Sequence, residues 1–290
     1  MGESSVISSE LEYYKPSRIN EAVEIFNSLK NNDKQPMYYA GGTEIITLAR
    51  MNLIQTTAII DIKGIRECQT FDIIGNDLIT GSTVPLTFIE EKNLFPLLTK
   101  TSSEIADRTA RNKITVGGNL CGQIFYREAI LPFLLTDSLV TIADMNGQRT
   151  ISIHSLFNQK LQLEKGELLI QLLTEKAYLH LPFRSIKKRQ QWKTGYPLLT
   201  VASIKKDNQL RFAFSGLCPF PFRSSQIEQE LNNKALPFHE RINNAIKHIP
   251  NPILDDIEGS SEYRLFVFRN TVMEILMEME GGISAAVTKQ

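Results

Sequence analysis

Cysteine is scarce in this chain of 290 residues, and the three that occur, Cys68, Cys121 and Cys218, stand far apart without a CxxC pair. That spacing excludes a disulfide framework and argues against a zinc site. An iron–sulphur cluster is ordinarily held by four thiolates, so the chain holds none by itself. The four histidines, His154, His180, His239 and His248, share no ligand-like spacing, and no metal is expected. Charge of one sign is missing too: 32 basic and 32 acidic side chains cancel, leaving no electrostatic footprint for nucleic acid or an anionic membrane. The cluster Arg184-Ser185-Ile186-Lys187-Lys188-Arg189 reads as a solvated loop or strand end. No apolar run is long enough to span a bilayer, and Met1-Gly2-Glu3-Ser4-Ser5 has no basic region leading into an apolar core, so a cytoplasmic protein is expected. A Ser-His-Asp set, paired catalytic carboxylates and an activated cysteine are likewise absent, and no catalytic side chain is assigned.

What is present is a pair of glycine runs, Ala40-Gly41-Gly42-Thr43-Glu44 and Thr115-Val116-Gly117-Gly118-Asn119. Glycine lacks a Cβ and tolerates positive φ, so successive N–H groups converge on an anion, and a following helix adds its partial positive charge. Either run alone also reads as a tight structural turn. Together they predict one nucleotide clasped at its phosphates. Neither is GxGxxG or GxxxxGK(S/T), which disfavours a dinucleotide fold of the Rossmann kind and a P-loop.

The flanking pattern places these runs. Ser17 is the expected cap of a helix in which Ile19, Ala22, Val23, Phe26 and Leu29 recur at helical spacing. Met37-Tyr38-Tyr39 is a short strand delivering the first run into a helix from Thr43 to Arg50, and Ala58–Ile62 is a second strand. Hairpins are expected around Gly75-Asn76-Asp77 and Asp144-Met145-Asn146-Gly147, helices over Thr87–Glu91, Leu97–Arg108 and Ala129–Leu135, and a strand over Glu167–Leu173. Strands over Ala177–Leu181, Leu198–Lys206 and Leu210–Leu217, then helices over Gln226–Asn233 and Glu262–Glu280, read as a separate α+β domain, with residues 281–290 frayed.

Met37-Tyr38-Tyr39-Ala40-Gly41-Gly42-Thr43-Glu44-Ile45-Ile46 resembles the first pyrophosphate-binding loop of the FAD subunits of molybdenum hydroxylases, and Ala110-Arg111-Asn112-Lys113-Ile114-Thr115-Val116-Gly117-Gly118-Asn119-Leu120 resembles their second. The similarity continues through Gly166-Glu167-Leu168-Leu169, Tyr196-Pro197-Leu198-Leu199-Thr200-Val201-Ala202 and Ser260-Ser261-Glu262-Tyr263-Arg264. The chain therefore resembles the FAD-binding (medium) subunit of the xanthine dehydrogenase and carbon monoxide dehydrogenase type. The resemblance implies an α+β fold. A two-subdomain FAD-binding domain of the vanillyl-alcohol-oxidase (PCMH) type would cover 1–175, with subdomains of about 1–60 and 61–175, and a carbon-monoxide-dehydrogenase-flavoprotein-like domain would cover 176–290.

It also implies roles for individual residues. Ala40, Gly41, Gly42, Thr43 and Glu44 would hold one phosphate through their backbone, and Thr115, Val116, Gly117, Gly118 and Asn119 would meet the pyrophosphate and ribityl region. Ile105 and Ala106 align beside the flavin and Leu168 and Leu169 near its ring, although each also reads as an ordinary core residue. Relatives place an aspartate after the second loop to bond a sugar hydroxyl. Here the match is Glu128, behind an altered segment Gln123-Ile124-Phe125-Tyr126-Arg127, so a solvent-facing Glu128 is the alternative. Arg184 stands loosely at the place of a family lysine near the flavin. The implied function is electron transfer through FAD to NAD, beside an iron–sulphur subunit and a large molybdenum-cofactor subunit, with xanthine as the leading substrate. Two other readings stay open: a flavin-free assembly subunit, and a self-sufficient FAD oxidoreductase.

Overall fold

Three parallel strands open the fold. The computed structural model describes residues 11–189 and 195–280, so the expectations for Met1–Ser5 and for fraying over 281–290 lie outside the described residues. Strand β1 (Glu12–Tyr14) is followed by α1 (Ile19–Asn31), β2 (Pro36–Tyr39), α2 (Thr43–Arg50) and β3 (Ala58–Asp61). β3 lies between β1 and β2 and runs parallel to both, with Ile59 opposite Tyr13 and Met37. The five apolar residues of α1 are all buried, as an amphipathic helix on a sheet requires. Ser17 does not cap it: Arg18 holds the cap position with no side-chain bond, and the Ser17 N–H donates to Glu21 Oε2 at 3.0 Å. That bond ties the residue before the cap to the first turn and leaves the helix's own first N–H groups without a side-chain cap.

A five-stranded antiparallel sheet follows, built from β4 (Phe71–Ile74), β5 (Asp77–Gly81), β6 (Leu139–Asp144), β7 (Gly147–Ser152) and β8 (Leu168–Glu175) in the order β4-β5-β8-β6-β7. Its two hairpins turn where expected, at Gly75 (φ +64°) and Gly147 (φ +115°). Residues 11–94, 107–124 and 137–176 form one compact unit, and 95–106, 125–136, 177–189 and 195–280 form a second. The helix expected over Leu97–Arg108 is Pro96–Ser103, and a fresh turn, Arg108–Arg111, starts after Asp107, whose carboxylate accepts the Ala110 N–H at 2.7 Å. An N-cap residue mid-run restarts the helix rather than continuing it. Ala129–Leu135 is a 3-10 turn, Glu128–Ile130, passing into a short helix, Leu131–Leu135.

The second unit carries a four-stranded antiparallel sheet, β9 (Phe183–Lys188), β10 (Leu199–Lys206), β11 (Gln209–Ser215) and β12 (Phe222–Arg223), in that order. Asp207 and Asn208, both left-handed, make the β10–β11 turn. The strand expected over Ala177–Leu181 is a turn: Lys176–Tyr178 is a 3-10 helix closed by the Leu181 N–H on the Tyr178 carbonyl, which buries Tyr178 and Leu179 without a ladder. The basic stretch is instead the strand, β9. Helices α4 (Ser225–Leu231), α5 (Phe238–Ile246) and α6 (Ser261–Glu280) complete the unit, whose core includes Phe212, Phe214, Phe268, Val272 and Ile275. Arg264 of α6 is fully buried and donates to the carbonyls of Leu198 and Gly216 and to Asp256, so its charge is paired and its N–H groups used.

Candidate functional site

The first glycine run ends β2 and starts α2. Gly42 is the cap residue, left-handed at φ +73°, and the helix has no side-chain cap. Among the described residues nothing accepts from the first-turn N–H groups of Thr43, Glu44 and Ile45. Three orphan donors and the positive end of a helix dipole thus face outward together, which is what an anion requires. The glycines are obligatory. A Cβ at Gly41 would stand 1.7 Å from the Lys113 carbonyl oxygen, and one at Gly42 would stand 2.3 Å from the Tyr39 ring.

The second run lies against the first, since Lys113 leads directly into it. Thr115 caps a short helix, α3 (Val116–Cys121), its hydroxyl accepting the Gly118 N–H at 3.1 Å. Val116 donates to Val84 O at 3.0 Å, Gly117 to Ser82 O at 2.8 Å and Asn119 to Thr115 O at 2.9 Å. These N–H groups are therefore consumed internally, and the two runs are chemically unlike: the first offers its backbone, the second does not. Gly117 is glycine for packing, because a Cβ would meet Ser82 at 2.6 Å. Gly118 is exposed, and a Cβ there would meet the Thr115 hydroxyl oxygen alone within 4 Å. Its bare face is open to a ligand. Glu44 ties the first run to the segment that follows α3, its Oε1 accepting the N–H groups of Gln123 at 2.5 Å and Ile124 at 3.2 Å.

Leu168 and Leu169 are both buried in β8, but neighbouring strand residues face opposite ways. Leu168 joins Ile170 in the core under α1. Leu169 therefore faces the other side of the sheet. Ile105, Ala106 and Glu128 belong to the second unit. Ile105 is buried, and Ala106 is left-handed at φ +49°. Glu128 is not solvent-facing: its Oε2 binds Lys187 Nζ at 2.7 Å and its Oε1 accepts the Thr200 hydroxyl at 2.6 Å. Lys187 also donates to Glu104 O at 2.9 Å, and burial pulls its pKa down although Glu128 opposes this. Strand alternation explains what a reading of β9 as solvated overlooks. Arg184 and Lys188 pair with Glu278 and Glu274 of α6, whereas Ser185 and Lys187 turn to the opposite face. Arg184 is thus held by α6.

Sequence reasoning also passed over a polar cluster behind the first run. Asp61, buried at the end of β3, accepts the Tyr13 hydroxyl at 2.5 Å and the Lys63 N–H at 3.0 Å. Burial disfavours its charge, yet Lys63 and Tyr13 hold its pKa below the ordinary carboxylate value. The same bond pushes Tyr13 up to about 12. Beside the cluster lies a cavity of about 390 Å³ lined by Tyr13, Tyr39, Ile45, Ile46, Asp61 and Lys63 among others. The one available signal was Asp-Ile-Lys at a strand end, too short to separate from a turn.

Among the described residues no group of His, Cys, Asp and Glu is placed to hold a metal ion, and no helix is long and apolar enough to cross a membrane. Residues 9–173 match the family described as the FAD binding domain in molybdopterin dehydrogenase. The chain is 24% identical over 292 residues to the xanthine dehydrogenase FAD-binding subunit of Escherichia coli O157:H7, covering 92% of this chain and 94% of that one. It is 25% identical over 233 residues to caffeine dehydrogenase subunit beta of Pseudomonas sp. (strain CBB1), covering 76% and 77%. Its fold superposes on carbon monoxide dehydrogenase from Hydrogenophaga pseudoflava with a TM-score of 0.82 at 20% identity, covering 92% of this chain and 96% of that one. Quinoline 2-oxidoreductase from Pseudomonas putida 86 gives a TM-score of 0.82 at 18% identity, covering 94% and 97%.

Proposed function

Because the chain belongs to the family of FAD-binding domains of molybdopterin dehydrogenases, we propose that it is the flavin-carrying, electron-transfer subunit of a multi-subunit molybdenum hydroxylase. The observation that carries this is the uncapped start of α2, where, among the described residues, Thr43, Glu44 and Ile45 present N–H groups with no acceptor behind a left-handed Gly42, with Gly41 packed against Lys113 and Thr115 of the second run. Those groups fit a diphosphate. Gly41 and Gly42 give it access, the Thr43 hydroxyl adds a directional bond, and Thr115 and Asn119 border the far side. Val116 and Gly117 hold the second run in place and donate nothing outward. Ile105, Ala106 and Leu169 are the apolar groups assigned to the flavin, with Leu168 supporting from the core. Glu128, already satisfied twice, acts as a brace for Lys187.

Bound FAD would accept electrons singly and release them as hydride. The protein's part is to fix the diphosphate and shield the ring. Electrons would come from an iron–sulphur subunit whose partner holds the molybdenum cofactor, a reading that membership of the molybdopterin dehydrogenase family supports. Xanthine is the proposed substrate of the complex and NAD its acceptor, working in the cytoplasm. The xanthine dehydrogenase relative supports the first choice, and the caffeine dehydrogenase relative points to the same purine class. Absorption spectroscopy of the purified chain after incubation with FAD tests the reading, with flavin bands co-eluting with protein as the expected result. Their absence would favour a flavin-free assembly subunit, the reading that the internal use of the second run's N–H groups supports.

A further inference from the structure

We propose that Lys63 is a positioning residue for the diphosphate site, fixing the Ala40–Gly41 peptide that opens the first glycine run and adding a cation to the field at the start of α2. The inference rests on the FAD reading above. Lys63 Nζ donates to the Ala40 carbonyl at 2.9 Å and lies 4.3 Å from the centroid of the Tyr39 ring. It is anchored from behind by Asp61 Oδ1 at 2.8 Å, and Asp61 is fastened in turn by the Tyr13 hydroxyl. In a trans peptide the carbonyl and the following N–H point in opposite directions. Gripping the Ala40 carbonyl therefore aims the Gly41 N–H away from Lys63. The Tyr39 ring, held under the ammonium, is also the surface that a Cβ at Gly42 would strike. One cation thus constrains the residues on both sides of Gly41.

Asp61 neutralises part of that charge but does not bury it, since the Lys63 side chain is 42% exposed. A cation bound to the Ala40 carbonyl, three positions before the first open N–H group, raises the local potential toward an anion, and the effect is screened by salt. The exposure also means that replacing Lys63 leaves no buried hole.

The test is FAD affinity, measured by fluorescence quenching at low and high salt for the full-length chain and its K63M and K63R variants, together with the thermal midpoint of each flavin-free protein. K63M is expected to bind FAD about tenfold more weakly, the equivalent of about 1.4 kcal/mol, with a flatter salt dependence, and to lower the flavin-free midpoint modestly because the buried Asp61 loses its cationic partner, so the affinities are compared well below that midpoint. K63R should recover both the affinity and the salt slope. K63M that binds like wild type, or that loses affinity with no change in salt slope, overturns the inference while leaving the FAD reading intact. A wild-type chain that binds no FAD overturns both.

Discussion

Glu44 Oε1 accepts the N–H of Gln123 at 2.5 Å, across 79 positions of sequence. The side chain of a residue expected to serve through its backbone is the tie between the first run and the segment after α3. Glu44→Ala should lower stability by about 1 kcal/mol, the usual worth of a net hydrogen bond. It should also weaken FAD binding, while Glu44→Gln, which keeps an acceptor, should lose less of both. Thermal unfolding with and without FAD measures the two effects separately.

Gly41 and Gly118 should respond differently to the same added methyl. Gly41→Ala forces a Cβ against the Lys113 carbonyl, and overpacking of this kind costs about 1–3 kcal/mol. Gly118→Ala meets one hydroxyl oxygen, so the chain should fold with a near-normal midpoint and lose flavin content instead. Circular dichroism melts set beside flavin-to-protein absorbance ratios would show the split, and equal melts for the two variants would refute it.

The Lys187–Glu128 pair is 2% and 5% exposed at its side chains. Removing one partner of such a pair costs about 3–5 kcal/mol, because the other charge is left buried and alone, whereas removing both with apolar groups often costs little. Glu128→Leu and Lys187→Met should each destabilise strongly in urea titrations. The double variant should recover most of the loss, and a merely additive result would count against a direct pairing.

Alkaline pH should destabilise the chain through Cys218, whose thiol burial pushes from 9.0 up to about 12. The folded state holds this proton more tightly than the unfolded state, so the contribution is complete below pH 9 and is lost as pH rises toward 12. Urea midpoints measured from pH 8 upward should fall, and Cys218→Ala should flatten that fall. The exposed Cys121 should react with a thiol reagent in the native chain, whereas the buried Cys68 and Cys218 should react after unfolding.

Much of the fold was legible because its signals are local. The period of Ile19, Ala22, Val23, Phe26 and Leu29 names α1, and Asn146-Gly147 and Asp207-Asn208 name their hairpins. The first glycine run was legible for the same reason, since a left-handed residue before a helix needs nothing distant. The use of the Val116 and Gly117 N–H groups was not, because their acceptors, Val84 and Ser82, lie more than a strand away in sequence. Nor was the inward turn of Lys187, which depends on β9 being a strand with α6 on one face. Pairing across the sheet overrode composition there.

The division of the chain into interleaved segments has a consequence for its biosynthesis. Residues 95–106 and 125–136 are made long before the sheet they accompany, and they bring Phe95 and Phe133, both buried in the finished protein, with them. While the ribosome is still short of residue 177, these side chains have no complete core to enter, so the nascent polypeptide must carry sticky surface until its last third emerges.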